Sequence, residues 1–204
     1  MVGLINQTLE SKEQEVLEIA CEFFLEHGYH GTSLSQMTRE CNISKESLYR
    51  YFDSKEDLFL AVINTEIARY NSALPKEIPK FQNIRPTLIT IGETIAFALN
   101  SDRLLALRRL VFQEAAHNPR IGHRFFQMGS HYPDSVLKAV FTAHKNESKD
   151  INPRYLAHYY KSMIGSRLMF ERECQIRPLL TNPEIVRLVD RITTDFLMAF
   201  FNIK

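Results

Sequence analysis

A chain of 204 residues with 45% hydrophobic and 24% charged side chains is an ordinary globular composition, able to bury a sizeable core in one domain or two small ones. Seven glycines and eight prolines are few for that length and argue against a turn-rich all-β fold. The net charge of +1 says little about partners, while three cysteines at no metal-like spacing argue against structural disulfides and make the cytosol the default compartment. Neither a long apolar run nor a basic-plus-apolar leader is read, so neither a membrane span nor a signal peptide is expected.

Helix signals dominate the chain from its start. Val16, Ile19, Ala20, Phe23 and Phe24 recur at helical spacing, and Gly28 ends the helix they predict. Ser11 with Gln14 reads as the capping box in front of it. Ser33 with Gln36 repeats the device and opens a second helix that runs through Glu40. Ser44 caps a short third helix over residues 45–52, and Ser54 with Asp57 opens a fourth from Lys55 to about Tyr70. Residues 72–83 hold two prolines and break the pattern. Longer helices are predicted over residues 85–100 and 102–117. Asn118-Pro119, Asn152-Pro153 and Asn182-Pro183 each read as a helix start, because Asn caps well and Pro suits the first helical position. Residues 146–150 and 177–181 read as loops. The expectation is an all-α fold of about nine or ten helices with no strand.

The spacing over residues 34–52 is that of a helix-turn-helix. A helix ending at Cys41 is followed by the turn Asn42-Ile43-Ser44 and a second helix of about two turns, which suits a DNA major groove roughly 12 Å wide. The turn demands a positive φ, which Asn42 tolerates better than most residues. Met37, Ile43, Leu48 and Phe52 are expected to face inward against Ala20, Phe23 and Phe24. Lys45, Glu46, Ser47, Tyr49, Arg50 and Tyr51 are left facing outward, a mix of hydroxyls, amine and guanidinium suited to phosphate and base edges. From Met1 to Lys55 five cations stand against nine carboxylates, 5 − 9 = −4, so nucleic-acid binding here needs a few placed cations rather than a basic face. Glu46 in the first turn is explained either by the helix dipole or as an acceptor for a cytosine amino group.

Residues 16–63, "VLEIACEFFLEHGYHGTSLSQMTRECNISKESLYRYFDSKEDLFLAVI", resemble the DNA-binding domain of the TetR (tetracycline repressor) family of transcriptional regulators. "FFLEHGYHGTSL", "NISKESLYRYF" and "SKEDLF" stand at the family's spacing, over about a quarter of the chain. Residues 103–129, "RLLALRRLVFQEAAHNPRIGHRFFQMG", are similar more loosely to an AefR/AcrR-like ligand-binding half. Cys41-Asn42-Ile43 departs from the family's usual Ala-Gly-Val, Met37-Thr38 from its Ile-Ala, and Glu46, which changes the reading surface, stands where the family often has Gly or a small residue. The resemblance implies a helix-turn-helix domain over residues 11–57 and a helical ligand-binding and dimerisation domain over residues 58–204. It implies Tyr49 and Lys55 as phosphate anchors, Thr32 and Ser33 as hydroxyl or backbone contacts at the second helix, and Ser44, Lys45, Glu46, Ser47 and Tyr51 at the operator. Arg39 and Arg50 reach backbone in the same scheme.

Two surfaces are expected in the C-terminal part. The last helix, over residues 183–202, carries Ile185, Leu188, Val189, Ile192, Phe196 and Phe200 on one broad stripe that Val186 and Leu197 widen. With Tyr155, Ser166 and Phe170 of the preceding helix it resembles the half-bundle that TetR-like proteins complete by dimerising, the alternative being an internal core helix. Phe97, Arg109, Phe112, Gln113, Phe126, Met128, Tyr132, Tyr159 and Met163 are the candidate lining for a small apolar or amphipathic effector, though each alone is read sooner as core. No catalytic constellation, metal spacing or cofactor motif is read. The expected function is a cytoplasmic, nucleoid-associated, one-component regulator of bacterial type. It would be a homodimer on a palindromic double-stranded operator, read first as a repressor released by an effector. A DNA-binding regulator without an effector and a helical carrier or enzyme that has lost DNA binding stand as the alternatives.

Overall fold

The computed structural model describes the backbone of residues 2–74 and 83–201, with side chains at 12–74, 83–129 and 133–201. Among the described residues the elements are α1 (Val2–Gly31), α2 (Leu34–Glu40), α3 (Lys45–Tyr51), α4 (Lys55–Asn71), α5 (Ile84–Asn100), α6 (Asp102–Ala115), α7 (Pro119–Ala143), a 3-10 turn (Lys145–Glu147), α8 (Pro153–Glu173) and α9 (Asn182–Phe200). Among them there is no strand, and one isolated antiparallel bridge joins Ser148 to Phe201. The all-α expectation holds. None of the described helices is long and apolar enough to cross a membrane.

Most helix starts are set by side chains already visible in the sequence. Ser33 accepts from the Gln36 amide, Ser44 from the Ser47 amide at 3.0 Å, and Ser54 from the Asp57 amide at 3.0 Å. Asn118 and Asn152 accept from the amides of Arg120 and Arg154 and place Pro119 and Pro153 in the first turn. α9 differs by one residue: Thr181 precedes it, donating from N and Oγ1 to Glu184, so Asn182 is already helical. The expected start at Ser11 is overturned. α1 runs from Val2 through Ser11, and Gln14 bonds forward to Glu18 rather than back to a cap. Gly28 interrupts helical geometry as expected, at φ +71°, a value that disfavours any L side chain. α6 stops at Ala115, two residues early. Of the predicted break, residues 75–82 lie outside the described residues, as does Asn202.

The chain forms two units, Met1–Glu66 with Ala106–Phe126, and Ile67–Leu105 with Gln127–Lys204. In the first, Val16, Ala20 and Phe24 follow one another at four-residue spacing on α1 and are fully buried. Met37 and Cys41 of α2, Leu48 of α3, Phe52, and Leu58, Phe59, Val62 and Ile63 of α4 complete that core. Ile43 and Phe23, expected fully inside, are half-buried. Each large side chain so buried contributes about 1.5–3 kcal/mol, which is what fixes such short helices in place.

The second unit packs α5 against α8 and α9, with α7 contributing Val136, Leu137, Val140 and Phe141. Its centre is Tyr160. The hydroxyl donates to the Leu88 carbonyl at 2.7 Å and lies 2.8 Å from the Thr193 hydroxyl, so both buried polar groups are satisfied. Burial drives the Tyr160 phenol well above its ordinary pKa. Gly92 makes this approach possible: a Cβ there would stand 2.6 Å from the Tyr160 hydroxyl and 2.7 Å from Val189 Cγ1. Gly92→Ala gains about 1 kcal/mol of helix propensity but costs about 1–3 kcal/mol of overpacking plus a strained buried hydrogen bond. We expect a fall in Tm of about 2–8 °C. A thermal melt with Tm unchanged or raised refutes the close-packing account.

Candidate nucleic-acid interface

The helix-turn-helix is built by local chemistry. α2 closes at Cys41, Asn42 takes the left-handed conformation at φ 51°, and the Ile43 amide donates back to the Thr38 carbonyl at 3.0 Å. Ser44 then starts α3. Leu48 is the buried residue of α3, and Phe52 just past its end is buried as well. A seven-residue helix held at these two points is about 10 Å long and leaves Lys45, Glu46, Tyr49 and Arg50 to solvent.

Lys45, Glu46, Tyr49 and Arg50 are exposed, and Ser47 and Tyr51 are half-buried. The Lys45 ammonium lies 5.9 Å from the centroid of the Tyr49 ring, so an amine and a phenol are presented together. Ser44 Oγ is committed as the cap and donates to Ser47 Oγ, to which Arg50 Nη2 also donates. Ser33 is half-buried at the start of α2. The exposed groups of α3 combine two cations, a hydroxyl and one carboxylate, a set able to meet phosphates and base edges.

Two of the expected contact residues, Thr32 and the anchor Lys55, also make bonds within the chain. Thr32 is 4% exposed, and its Oγ1 donates to the carbonyls of Phe23 and Gly28 at 3.1 and 2.7 Å. Its amide also points to the Gly28 carbonyl. The residue knits the end of α1, which leaves neither group for a phosphate and corrects its assignment. Lys55 donates to the carbonyl of Thr32 at 2.7 Å and of His30 at 3.4 Å, and sits 5.0 Å from the Tyr29 ring centroid. Burial lowers its pKa, with Glu114 acting in the opposite sense.

The same unit carries a polar seam. Asn118 Nδ2 donates to Glu56 at 2.7 Å, Arg120 meets Glu56 at 3.3 Å, and His30 Nε2 lies 3.1 Å from Glu114. Residues 106–126 are thereby tied to α1 and α4. None of these pairings was read in the sequence, because contacts between residues 62 or more apart leave no local periodicity.

In the second unit α8 turns Leu156, Tyr160, Ile164 and Leu168 inward. Tyr155, Tyr159, Met163, Ser166 and Phe170 are exposed. The rings of Tyr155 and Tyr159 stack, and Tyr159 stacks again on Phe200. Tyr159 and Met163, expected in a ligand pocket, therefore share the outward stripe of the expected dimer residues. On α9 the correction runs the other way. Ile185, Val189 and Phe196 are completely buried in their own chain's core and are unavailable to a partner, while Leu188, Ile192 and Phe200 are half-buried against it. Val186 and Met198 are the exposed large apolar residues there, and Met198 was not among the residues singled out in the sequence. Of the remaining ligand candidates, Phe97 is half-buried on the core and Met128 half-buried, both in the second unit. In the first unit Arg109 is half-buried while Phe112, Gln113 and Phe126 are exposed. The side chain of Tyr132 lies outside the described residues. No metal-binding cluster of three or more His, Cys, Asp or Glu occurs among the described residues.

Comparison with known proteins agrees with this architecture. The profile described as "Bacterial regulatory proteins, tetR family" matches residues 16–62, and "AefR-like transcriptional repressor, C-terminal domain" matches residues 86–201. The chain is 41% identical over 56 residues to the uncharacterized HTH-type transcriptional regulator YuxN of Bacillus subtilis, covering 28% of this chain and 19% of that one. It is 24% identical over 160 residues to the HTH-type transcriptional repressor AcnR of Corynebacterium diphtheriae, covering 78% and 80%. The solved structure of the flavonoid-responsive regulator FrrA superposes with a TM-score of 0.79 at 21% identity, over 96% of this chain and all of that one. The matched family regions span both the helix-turn-helix and the greater part of the C-terminal helices, and the chain belongs to the TetR family of DNA-binding transcriptional regulators, with an AefR-like C-terminal domain.

Proposed function

We propose that the protein is a one-component repressor that binds a palindromic operator as a homodimer and leaves it when a small apolar or amphipathic effector binds. The observation that carries the operator reading is α3: a two-turn helix, held by Leu48, that exposes Lys45, Glu46, Tyr49 and Arg50 together. One such helix makes too few contacts alone, so a two-fold dimer reading two half-sites is the physical requirement. The stripe of Tyr155, Tyr159, Met163, Ser166 and Phe170 on α8, with Val186 and Met198 on α9, is the surface we assign to that dimer. Effector control is supported by the seam at Glu56 and Glu114. It ties residues 106–126, within the region matched by the C-terminal profile, to the DNA-binding unit. An effector acts by favouring a state that binds operator less well.

Selection of bound fragments from random DNA by the full chain should return a palindrome, and calorimetry with apolar and amphipathic compounds should find a ligand that weakens operator binding. Enrichment of no sequence refutes the operator reading, and operator binding indifferent to every bound compound refutes effector control. Glu46 supplies a finer test. It is exposed at the front of α3, where a carboxylate can accept from a cytosine amino group. Glu46→Gln should then shift base preference at one pair per half-site by about 1–3 kcal/mol. If all four bases keep their ranking there, Glu46 answers the helix dipole alone, a matter of about 0.3–1 kcal/mol.

A further inference from the structure

We propose that Asn118 is a positioning residue for operator binding, because its one amide group both starts α7 and grips the first turn of α4. This rests on the operator-binding reading above and names one contact of the seam through which that reading is served. Asn118 Oδ1 accepts from the Arg120 backbone amide at 3.2 Å, while Nδ2 donates to Glu56 Oε2 at 2.7 Å. A backbone N–H only donates and an ionised carboxylate only accepts, so these partners require an acceptor and a donor on one short side chain. Among the residues that cap helices well, Asn alone holds both in one plane. Asp brings two acceptors, and Ser a single oxygen on a shorter stem. Capping by itself therefore does not account for Asn here. Residue 118 lies within the region matched by the C-terminal profile and residue 56 within that matched by the helix-turn-helix profile, so the bond joins the two.

The grip falls beside an expected operator contact. Lys55, Glu56 and Asp57 are consecutive at the start of α4, and Lys55 is the expected phosphate anchor. Arg120 Nε lies 3.3 Å from Glu56 Oε1, and its Nη2 lies 3.8 Å from Asp57. Arg120 is exposed, so water screens these pairs, and the shorter bond from half-buried Asn118 to half-buried Glu56 carries more of the hold. Asn118 is itself braced. Its backbone amide donates to the Glu114 carbonyl at 2.7 Å, and the Glu114 carboxylate lies 3.1 Å from His30 Nε2 at the end of α1. Released from Asn118, the first turn of α4 would keep its own cap, Ser54 Oγ on the Asp57 amide at 3.0 Å. What Asn118 supplies is the placement of that turn, and with it of Lys55, rather than the helix.

The test is a cycle of operator titrations on the full chain, Asn118→Asp, Glu56→Gln and the two together. Asn118→Asp keeps the cap, and a carboxylate suits a helix N-terminus, but it sets like charge against Glu56. It is expected to weaken operator binding about tenfold, with Tm nearly unchanged, a coupling ordinary for residues in direct contact. Glu56→Gln still offers Asn118 an amide oxygen and is expected to bind nearly as the unaltered chain does. The double variant exchanges donor and acceptor across the same gap and is expected to recover most of the loss. A long-range effect of charge on DNA predicts instead that Glu56→Gln strengthens binding by the factor that Asn118→Asp weakens it, and effects that add in this way overturn the proposal. Unchanged affinity in Asn118→Asp overturns it as well. Asn118→Ser, which caps without reaching Glu56 and adds no charge, is expected to lose about threefold or more, the worth of one hydrogen bond. Affinity unchanged in that variant is a third refutation. Hydrogen exchange on the DNA-free protein separates all this from failure of the operator reading. If the unaltered chain enriches no DNA, faster exchange of the Asp57 and Leu58 amides in Asn118→Asp, reversed in the double variant, still supports the grip, and unchanged exchange there overturns it.

Discussion

Phe196→Ala should cost about 3–5 kcal/mol of stability, the range for removing a large aromatic side chain from a core. In a chain of this size that is a fall in Tm of about 6–20 °C. Phe196 is fully buried, with its ring 5.0 Å from Tyr160, 5.4 Å from Phe141 and 4.9 Å from Phe200. A phenyl-sized void beside the buried rings of Tyr160 and Phe141 closes poorly, because Tyr160 is pinned by its two hydrogen bonds. The comparison that gives the result its meaning is Phe170→Ala. Phe170 is 64% exposed on α8, so its loss should leave the protomer's core intact and act on the proposed dimer. Melts at several protein concentrations separate the two. The loss in Phe196→Ala persists at high concentration, whereas that of Phe170→Ala shrinks as mass action restores the dimer. If Phe196→Ala weakens dimerisation and leaves the melting of the protomer untouched, its place in the core is wrong.

Tyr49→Phe should weaken operator binding by about 1.5–3 kcal/mol per protomer, the worth of a hydrogen bond to a charged group. Two protomers on one operator make that about 3–6 kcal/mol, at least a hundredfold. The ring stays, so the Lys45 ammonium keeps its aromatic neighbour and α3 keeps its shape. A phosphate contact carries no sequence information, so the loss should be the same on operator and on unrelated DNA. Titrations on both, at one salt concentration, check this. A loss confined to the operator would make Tyr49 a base reader and would undo its assignment as an anchor.

Local signals carried far in this sequence. Ser33, Ser44, Ser54, Asn118 and Asn152 begin helices because a short polar side chain can satisfy an amide two or three residues ahead, and nothing distant interferes. Asn42 and Gly28 were legible for the same reason, since each marks a positive φ. Ser11 failed because a polar residue in a continuing helix looks the same as one that starts it. The candidate site was legible where the motif is contiguous, over Lys45–Tyr51, and not where it depends on register or on distant partners. The stripe on α9 was seen, but which edge faces the protomer's own core was not. Ile185, Val189 and Phe196 share one core with residues of α5, α7 and α8, as Phe196 does with Phe141, 55 positions earlier. Thr32 and Lys55 carry residue types fit for phosphate, and what a string of letters does not show is that Thr32 also bonds the carbonyls of Phe23 and Gly28 and Lys55 those of His30 and Thr32.

The single buried side chain of α3 has a consequence for how this regulator can change. Selection on stability and selection on sequence preference act on different positions of the same helix. Leu48 answers to the core, while Lys45, Glu46, Tyr49 and Arg50 answer to whatever lies outside. Gene copies can therefore drift toward new operators one exposed residue at a time without passing through poorly folded intermediates, and a library randomised at those four positions should be mostly folded protein.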